Sequence, residues 1–190
     1  MQARHIPNLI SGLRIILVAP LAWLIIGHRY DSALLVFAVA GLSDAVDGFL
    51  ARRFEWRSRL GGMLDPVADK LLLIACFVCL GWVGLLPAWL VGLVILRDLI
   101  IVGGALCYHC LIASFDAAPT PMSKLNTFTQ LLLVLVVLVN QGLWSVHQSL
   151  VPLLVLMTAI TTVLSGLGYV GVWGRRALGV RPRPRSDDRP

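Results

Sequence analysis

Four carboxylates between residues 43 and 70 are the side chains best suited to chemistry in this sequence. Asp44, Asp47, Asp65 and Asp69 lie in or beside segments that are otherwise apolar enough to be transmembrane. A carboxylate in such a setting is energetically expensive, and it therefore indicates a functional site. Four neighbouring carboxylates repel one another unless a cation lies between them, and hard divalent cations prefer oxygen ligands. We therefore expect one or two Mg²⁺ or Mn²⁺ ions, shared with a phosphate-bearing substrate.

The spacing of these acids places them on two helical stripes. Positions i, i+3, i+4, i+7 and i+8 of the first stripe are Asp44, Asp47, Gly48, Ala51 and Arg52. Positions i, i+4 and i+8 of the second are Gly61, Asp65 and Asp69. A short basic loop between them predicts an antiparallel helix pair with facing stripes. The glycines allow close approach of a ligand, and an arginine fork suits a pyrophosphate. Salt bridges between these acids and the loop arginines are the alternative, but they do not explain the small residues.

Composition places these helices in a membrane. The 190 residues are 58% hydrophobic and 14% charged, with a mean hydropathy of +0.84, whereas a soluble domain is about a quarter charged. Six apolar runs approach the length of about 20 residues that spans a bilayer, namely 7–27, 32–53, 63–83, 88–110, 124–141 and 150–173. The sequence therefore predicts an all-α integral membrane protein, with six transmembrane helices in residues 1–173 and a basic, disordered cytoplasmic tail over 174–190.

The basic residues predict the orientation. With the N-terminus inside, the external segments contain only Arg29, whereas the cytoplasmic segments contain the other clustered lysines and arginines. Both termini are therefore expected in the cytoplasm, with the polar active site facing the same side, in a bacterial inner membrane. The net charge of +6 lies in clusters between apolar runs, which favours anionic lipid head groups and phosphates as partners and excludes nucleic acid.

Two CxxC pairs, Cys76/Cys79 and Cys107/Cys110, would indicate zinc in a soluble protein. Here both pairs fall in apolar helices. At about 1.5 Å per residue, their depths in the membrane differ by well over about 10 Å. We therefore expect ordinary buried cysteines.

The full stripe pattern, D-x2-D-G-x2-A-R-x8-G-x3-D-x3-D, resembles the signature of the CDP-alcohol phosphotransferases. Its eight fixed positions extend over 26 residues, and the six-span layout also fits that family. The resemblance implies transfer of a substituted phosphate group from a CDP-linked donor to an alcohol, with release of CMP. It implies a homodimer as well. The roles that it implies are metal ligands for Asp44, Asp47 and Asp65, general base and second-metal contact for Asp69, and a CDP cradle for Gly48, Ala51, Arg52 and Gly61.

The acceptor is predicted from weaker resemblances. The stretches IPNLISGLR and LGGMLDPVADKLL resemble the glycerophospholipid branch of the family, whose donor is CDP-diacylglycerol. Its acceptors are glycerol 3-phosphate in phosphatidylglycerophosphate synthases and phosphatidylglycerol in CMP-forming cardiolipin synthases. The run SKLNTFTQ at 123–130 resembles the cardiolipin enzymes, whereas the glycerophosphate enzymes typically have a second lysine where Asn126 stands. Fewer cations suit a monoanionic lipid, so we favour phosphatidylglycerol. Asn126 and Gln130 equally suit hydrogen bonds between helices.

Three cations are candidate ligands of the acceptor phosphate, namely Arg97, Lys124 and Arg14. Each has a structural alternative. Arg97 has Asp98 beside it as an ion-pair partner, Lys124 suits an interfacial anchor, and Arg14 is close enough to the helix start to snorkel. A cation transporter is a more distant functional alternative, but transport acids are expected throughout the membrane depth and these acids cluster at one face.

Overall fold

Six α-helices make up the described fold. The computed structural model describes the backbone of residues 6–54, 61–111 and 121–179, and the side chains of residues 12–43, 69–104, 121–169 and 171. The helices are α1 (Ile6–Ile26), α2 (Tyr30–Phe54), α3 (Gly61–Trp82), α4 (Ala88–Leu111), α5 (Pro121–Gly142) and α6 (Leu150–Gly179). No strand occurs within these ranges. The all-α prediction is therefore confirmed over the described residues, and each predicted span corresponds to one helix.

Short connections join successive helices at one end of the bundle. His28, between α1 and α2, has a φ of 57°, and its Nδ1 lies 2.7 Å from the Tyr30 hydroxyl. Gly84, between α3 and α4, has a φ of 78°, a conformation that glycine adopts without strain. After α5, the Asn140 carbonyl Oδ1 accepts a 2.9 Å hydrogen bond from Val146 N. Left-handed backbone at His28 and Gly84 and a side-chain hydrogen bond from Asn140 thus accompany these three helix ends.

Two helices are long and apolar enough to cross a membrane, when only the described residues are considered. They comprise Pro121–Gly142 and Leu150–Tyr169. Two shorter apolar helical stretches comprise Gly12–Ile26 and Tyr30–Ser43. The prediction of six membrane spans is not tested by these ranges, because much of α2, α3 and α4 lies outside the described side chains.

The helices close into a ring. Neighbouring pairs follow the order α2, α1, α3, α4, α6, α5 and back to α2, with a smaller contact between α3 and α5 across the ring. Over the described residues, α2 and α3 pack on opposite sides of α1 rather than on each other. The predicted meeting of their two stripes involves residues 44–65, whose side chains lie outside the described ranges, so it stays a prediction.

An apolar core fills the end of the ring where the short connections lie. Among its fully enclosed side chains are Ile25 of α1, Phe77 and Leu80 of α3, Leu90 of α4 and Leu138 of α5. Cys76 and Cys79 belong to this core as free thiols, which confirms the prediction of ordinary buried cysteines for this pair. Cys107 and Cys110 lie outside the described side chains. The charged residues of the bundle interior lie beyond this core, nearer the opposite end.

Helix α6 is longer than the sequence predicts. Its last residue is Gly179, whereas the predicted span ends at 173 and the predicted disordered tail begins at 174. The backbone of residues 174–179 is therefore helical, while the boundary between membrane domain and tail at 174 stays a prediction. Residues Arg175 to Leu178 are good helix formers, and they continue the helix until a glycine ends it. Residues 180–190 lie outside the described residues.

At Gly142, the end of α5 lies close to the start of α2. A Cβ at this position would lie 2.7 Å from Asp31 N and 2.8 Å from the Tyr30 carbonyl carbon. Both are main-chain atoms at the start of α2, so they cannot move aside as a flexible side chain can. The packing of α5 against α2 therefore requires glycine at this position.

We expect Gly142→Ala to destabilise the protein by about 1–3 kcal/mol, because the added methyl group overpacks a main-chain contact. The melting temperature in detergent should then fall by a few degrees. The matched control is Gly92→Ala in α4, where a Cβ has no atom within 4 Å and the helix gains intrinsic propensity. An unchanged melting temperature for Gly142→Ala would show that this contact is not tight.

Candidate active site

The backbone places every residue of the two stripes on a helix. The first stripe lies within α2 and the second begins at Gly61, the first residue of α3. The helical spacing that the sequence predicts is therefore present. Of the eight stripe residues, only Asp69 has a described side chain. The side chains of the other seven lie outside the described residues, so their predicted roles stay predictions. These seven are Asp44, Asp47, Gly48, Ala51, Arg52, Gly61 and Asp65.

Asp69 is paired with an arginine from another helix. The Arg14 guanidinium Nη1 donates to Asp69 Oδ1. Arg14 is 1% exposed, whereas the Asp69 side chain is 44% exposed. The arginine is therefore enclosed between helices and does not snorkel to the surface. The contact joins α1 to α3, which pack against each other, and it holds the carboxylate at a fixed point of the bundle.

A small cavity opens beside this ion pair. Its volume is about 100 Å³, and its walls are Arg14, Ala40, Gly41, Asp69, Leu72, Leu73, Thr127 and Leu131. A water molecule has a share of about 30 Å³ in the liquid, so the cavity accommodates a hydroxyl group with a few carbon atoms and not a nucleotide. Its polar groups lie against an otherwise apolar lining. An alcohol that enters this cavity would meet the Asp69 carboxylate.

Arg97 forms the ion pair with Asp98 that the sequence offered as the alternative to a phosphate contact. Its Nη1 lies 2.7 Å from Asp98 Oδ1. Its Nη2 donates to the Ser123 hydroxyl at 2.7 Å and to the Ser165 hydroxyl at 2.6 Å. One enclosed guanidinium therefore connects α4 to the start of α5 and to the middle of α6.

Lys124 is exposed in the first turn of α5. It follows Ser123 directly, so it lies near the same end of the bundle as Arg97. Its side chain is available to solvent or to a lipid head group. Its predicted contact with the acceptor phosphate is not tested by the described residues, and it stays a prediction.

Asn126 is fully enclosed and links α5 to α6. Its Oδ1 lies 2.8 Å from the Thr162 hydroxyl and 3.1 Å from the Thr161 hydroxyl. Each hydroxyl also lies within hydrogen-bond distance of the Thr158 carbonyl and has a single hydrogen. Reversal of the amide, which geometry alone does not distinguish, lets Nδ2 donate to both hydroxyls. In either orientation, the side chain forms the interhelical hydrogen bonds that the sequence offered as one alternative.

The next turns of α5 continue this polar contact. The Thr129 hydroxyl lies 3.0 Å from that of Thr161 and donates to the Asn126 carbonyl at 2.9 Å. Gln130 is also buried, and its Nε2 has no partner within the part of the chain that the structure describes. We call the polar contact from Ser123 to Thr129 of α5 with Thr158 to Ser165 of α6 the α5–α6 seam.

Sequence reasoning missed two contacts of the site. It did not connect Arg14 to Asp69, and it did not connect Lys70 to Asp98, whose Nζ and Oδ1 atoms lie 2.9 Å apart. A signal for the second was present, because Asp98 is itself a costly acid in an apolar run and needs a cation. Nothing in the spacing of a single helix could have selected the partner, since each contact joins two helices.

One described side chain, that of Asp69, suits a hard divalent cation. Asp69 supplies a partly exposed carboxylate at the edge of the cavity, and carboxylate oxygens are preferred ligands of Mg²⁺ and Mn²⁺. The described residues contain no cluster of three metal-ligating side chains, but the side chains of three of the four motif acids lie outside them. Metal binding therefore stays a prediction.

Comparison with known proteins identifies relatives along nearly the whole chain. A family model described as CDP-alcohol phosphatidyltransferase matches residues 4–166. Human "Cardiolipin synthase (CMP-forming)" is 35% identical over 92% of this chain and 63% of its own length. A chloroplastic "CDP-diacylglycerol--glycerol-3-phosphate 3-phosphatidyltransferase 1" from Oryza sativa is 34% identical over 94% of this chain and 59% of its own length. The chain thus spans about 60% of the length of these two relatives.

A shorter relative is matched over most of its length. The "CDP-diacylglycerol--glycerol-3-phosphate 3-phosphatidyltransferase" of Blochmanniella floridana is 30% identical over 87% of this chain and 88% of its own length. The two apolar helices and these relatives together indicate a membrane protein. The family model covers well over half of the chain. The chain therefore belongs to the CDP-alcohol phosphatidyltransferase family.

Proposed function

We propose that this chain is a membrane phosphatidyltransferase that uses CDP-diacylglycerol as donor and releases CMP. The observation that carries the proposal is the complete eight-residue signature within a chain that belongs to the family. The position of Asp69 beside a small cavity adds support, because a carboxylate base must lie within reach of the proton that it removes. The preferred acceptor is phosphatidylglycerol, which would give cardiolipin.

The reaction is a substitution at phosphorus. The acceptor hydroxyl oxygen forms a bond to the donor phosphorus that carries diacylglycerol, and the bond from that phosphorus to the bridging oxygen of CMP breaks. Asp69 takes the hydroxyl proton, and CMP leaves with the bridging oxygen. Arg14 donates a hydrogen bond to this carboxylate and so helps to orient it. Holding the two reactants in this geometry supplies much of the rate, since a carboxylate is a weak base.

Asp44, Asp47, Asp65 and Asp69 would hold one or two Mg²⁺ or Mn²⁺ ions, which when bound neutralise charge on phosphate oxygens. Gly48, Ala51, Arg52 and Gly61 would form the cradle of the CDP group. These assignments rest on the match between the chain and the family signature. They place the donor on α2 and α3, at the end of the bundle away from the apolar core.

The α5–α6 seam supports phosphatidylglycerol over glycerol 3-phosphate. At the position where the glycerophosphate enzymes typically have a second lysine, Asn126 is enclosed and bonded to α6. The site therefore lacks a cation at that point, and a monoanionic phosphodiester needs fewer cations than a dianionic monoester. Lys124 and Arg14 remain the proposed ligands of the acceptor phosphate. Glycerol 3-phosphate is the second candidate, because relatives from Oryza sativa and Blochmanniella floridana carry that acceptor in their names.

The proposed topology has six membrane spans, both termini in the cytoplasm and the active site on the cytoplasmic side of a bacterial inner membrane. The asymmetry of lysine and arginine between the connections supports it. A homodimer is proposed by analogy with the family. Residues 180–190 would provide a basic contact with anionic lipid.

We expect the purified chain to release CMP from CDP-diacylglycerol when phosphatidylglycerol and Mg²⁺ or Mn²⁺ are supplied. Glycerol 3-phosphate and inositol phosphate are offered separately as controls. The measurement is CMP release together with mass spectrometry of the lipid product. Turnover with glycerol 3-phosphate alone would overturn the cardiolipin assignment and retain the reaction class. Cation flux into liposomes without CMP release would instead favour a transporter.

Asp69→Asn should lower turnover by about 100-fold or more, because it removes a general base and keeps the shape of the side chain. Binding of CDP-diacylglycerol should change little, which a lipid-dependent shift in melting temperature would measure. The matched control is Asp31→Asn, the same change at an exposed acid in the first turn of α2, at the opposite end of the bundle. Full activity of Asp69→Asn would disprove the role of this residue as base.

Removal of divalent cations should abolish CMP release. Dialysis against EDTA followed by readdition of Mg²⁺ or Mn²⁺ should restore it, whereas Na⁺ or K⁺ should not, because only a divalent ion offsets several neighbouring carboxylates. Turnover that persists after chelation would contradict the proposed role of the four acids.

A further inference from the structure

Arg97 uses nearly all of its hydrogen-bonding capacity inside the protein. It is 6% exposed. One terminal nitrogen donates to Asp98 at 2.7 Å, and the other donates to Ser123 and Ser165 at 2.7 and 2.6 Å. The ring of Tyr169 covers it, with 5.9 Å between the guanidinium carbon and the ring centroid. Only its Nε lacks a partner within the described residues. Little of this side chain is left for a phosphate.

Asp98 extends this arrangement to α3. Its Oδ1 atom lies 2.7 Å from Arg97 Nη1 and 2.9 Å from Lys70 Nζ. The lysine contact is at ion-pair distance but outside hydrogen-bonding geometry. Asp98 is 13% exposed and Lys70 is 37% exposed. A largely enclosed carboxylate oxygen thus bridges two cations that belong to two different helices.

Lys70 follows Asp69 directly, so both residues share one turn of α3. Successive residues of a helix point about 100° apart, at 3.6 residues per turn. Arg14 of α1 therefore restrains α3 in one direction through Asp69, and Asp98 of α4 restrains it in another through Lys70. Two restraints in different directions oppose rotation of this turn, and rotation is the motion that would displace the Asp69 carboxylate.

We propose that Arg97, Asp98 and Lys70 form a positioning relay that holds Asp69 in the orientation needed to accept the proton of the acceptor hydroxyl. The hydroxyls of Ser123 and Ser165 anchor the relay to α5 and α6. The inference rests on the proposed function, in which Asp69 is the base. All three relay residues act through Asp69 and need not touch substrate. A misplacement of a reacting group by about 1 Å can cost about 100-fold in rate.

Direct binding of the acceptor phosphate is the competing role for Arg97 and for Lys70. The two roles differ in steady-state kinetics. Loss of a phosphate ligand raises the KM of the acceptor, whereas loss of a positioning residue lowers kcat and leaves the KM values nearly unchanged. A generally unstable variant lowers the amount of folded enzyme, which size-exclusion chromatography and the melting temperature reveal.

The central test uses Lys70, because Asp98 keeps Arg97 as an ion-pair partner when the lysine is replaced, so little unpaired charge is left in the interior. Lys70→Met should lower kcat about tenfold at saturating acceptor, with both KM values within about twofold of wild type. Lys70→Arg keeps the ion pair and should recover kcat to within about threefold. The control is Arg29→Gln, an exposed cation at the opposite end of the bundle, which should leave both parameters unchanged. An increase in acceptor KM without loss of kcat in Lys70→Met would overturn the relay.

A double-mutant cycle tests whether the residues act through one another. Arg97→Gln alone should lower kcat, and the Lys70→Met/Arg97→Gln double variant should be about as slow as the slower single variant, because both changes release the same carboxylate. Effects on kcat that multiply would show independent roles and overturn the relay. A rise in acceptor KM as the sole effect of Arg97→Gln would have the same consequence.

Hydrogen exchange supplies a readout that does not need turnover. Amide exchange in the α3 segment around Asp69 should be faster in Lys70→Met and Arg97→Gln than in wild type and Arg29→Gln, because the turn loses a restraint. Equal exchange in all four proteins would overturn the inference. The CMP assay on the wild type tests the proposed function separately. If the wild type releases no CMP but the exchange pattern is as expected, the proposed function is wrong and the restraint on α3 still holds.

Discussion

A charge enclosed among apolar helices requires an opposite charge or several hydrogen bonds. This constraint determines which side chains lie next to one another around the candidate active site. Arg14 lies two turns into α1 and is almost inaccessible, so it needs a partner from another helix. Asp69 provides that partner. The contact ties the position of the proposed base to the packing of α1 on α3. The same ion pair therefore fixes both the position of the proposed base and the packing of α1 on α3.

A second set of polar contacts between helices is the α5–α6 seam. Lipid tails are as apolar as leucine, so apolar side chains give little preference for one helix neighbour over another in a membrane. Hydroxyl and amide groups supply that preference here, through Asn126 and Thr129 on α5 and Thr161 and Thr162 on α6. The same seam begins at Ser123 and Ser165, where it anchors Arg97. Ser123 and Ser165 thus belong both to the packing of α5 on α6 and to the hydrogen bonds that hold the Arg97 charge.

The division of the molecule suits a family in which one reaction serves several acceptors. The shared signature lies on α2 and α3, whereas the contacts that distinguish the acceptor are expected on α4 and α5. Relatives named for both cardiolipin synthesis and glycerol-3-phosphate transfer match this chain at similar identity. Asn126 is enclosed and bonded to α6, so this position of α5 has a structural role in this chain.

The six helices follow from the sequence alone, because each apolar run has a polar or glycine-containing break. The eight-residue signature from Asp44 to Asp69 also needs no structure, and its resemblance to the family signature is what the proposed reaction rests on. The sequence alone did not determine the order of helices around the ring, the partner of Arg14 or the pair of Lys70 with Asp98. Those contacts join residues that are far apart in the chain, such as 14 and 69. Periodicity specifies which face of a helix is polar, and only tertiary packing selects the helix that faces it.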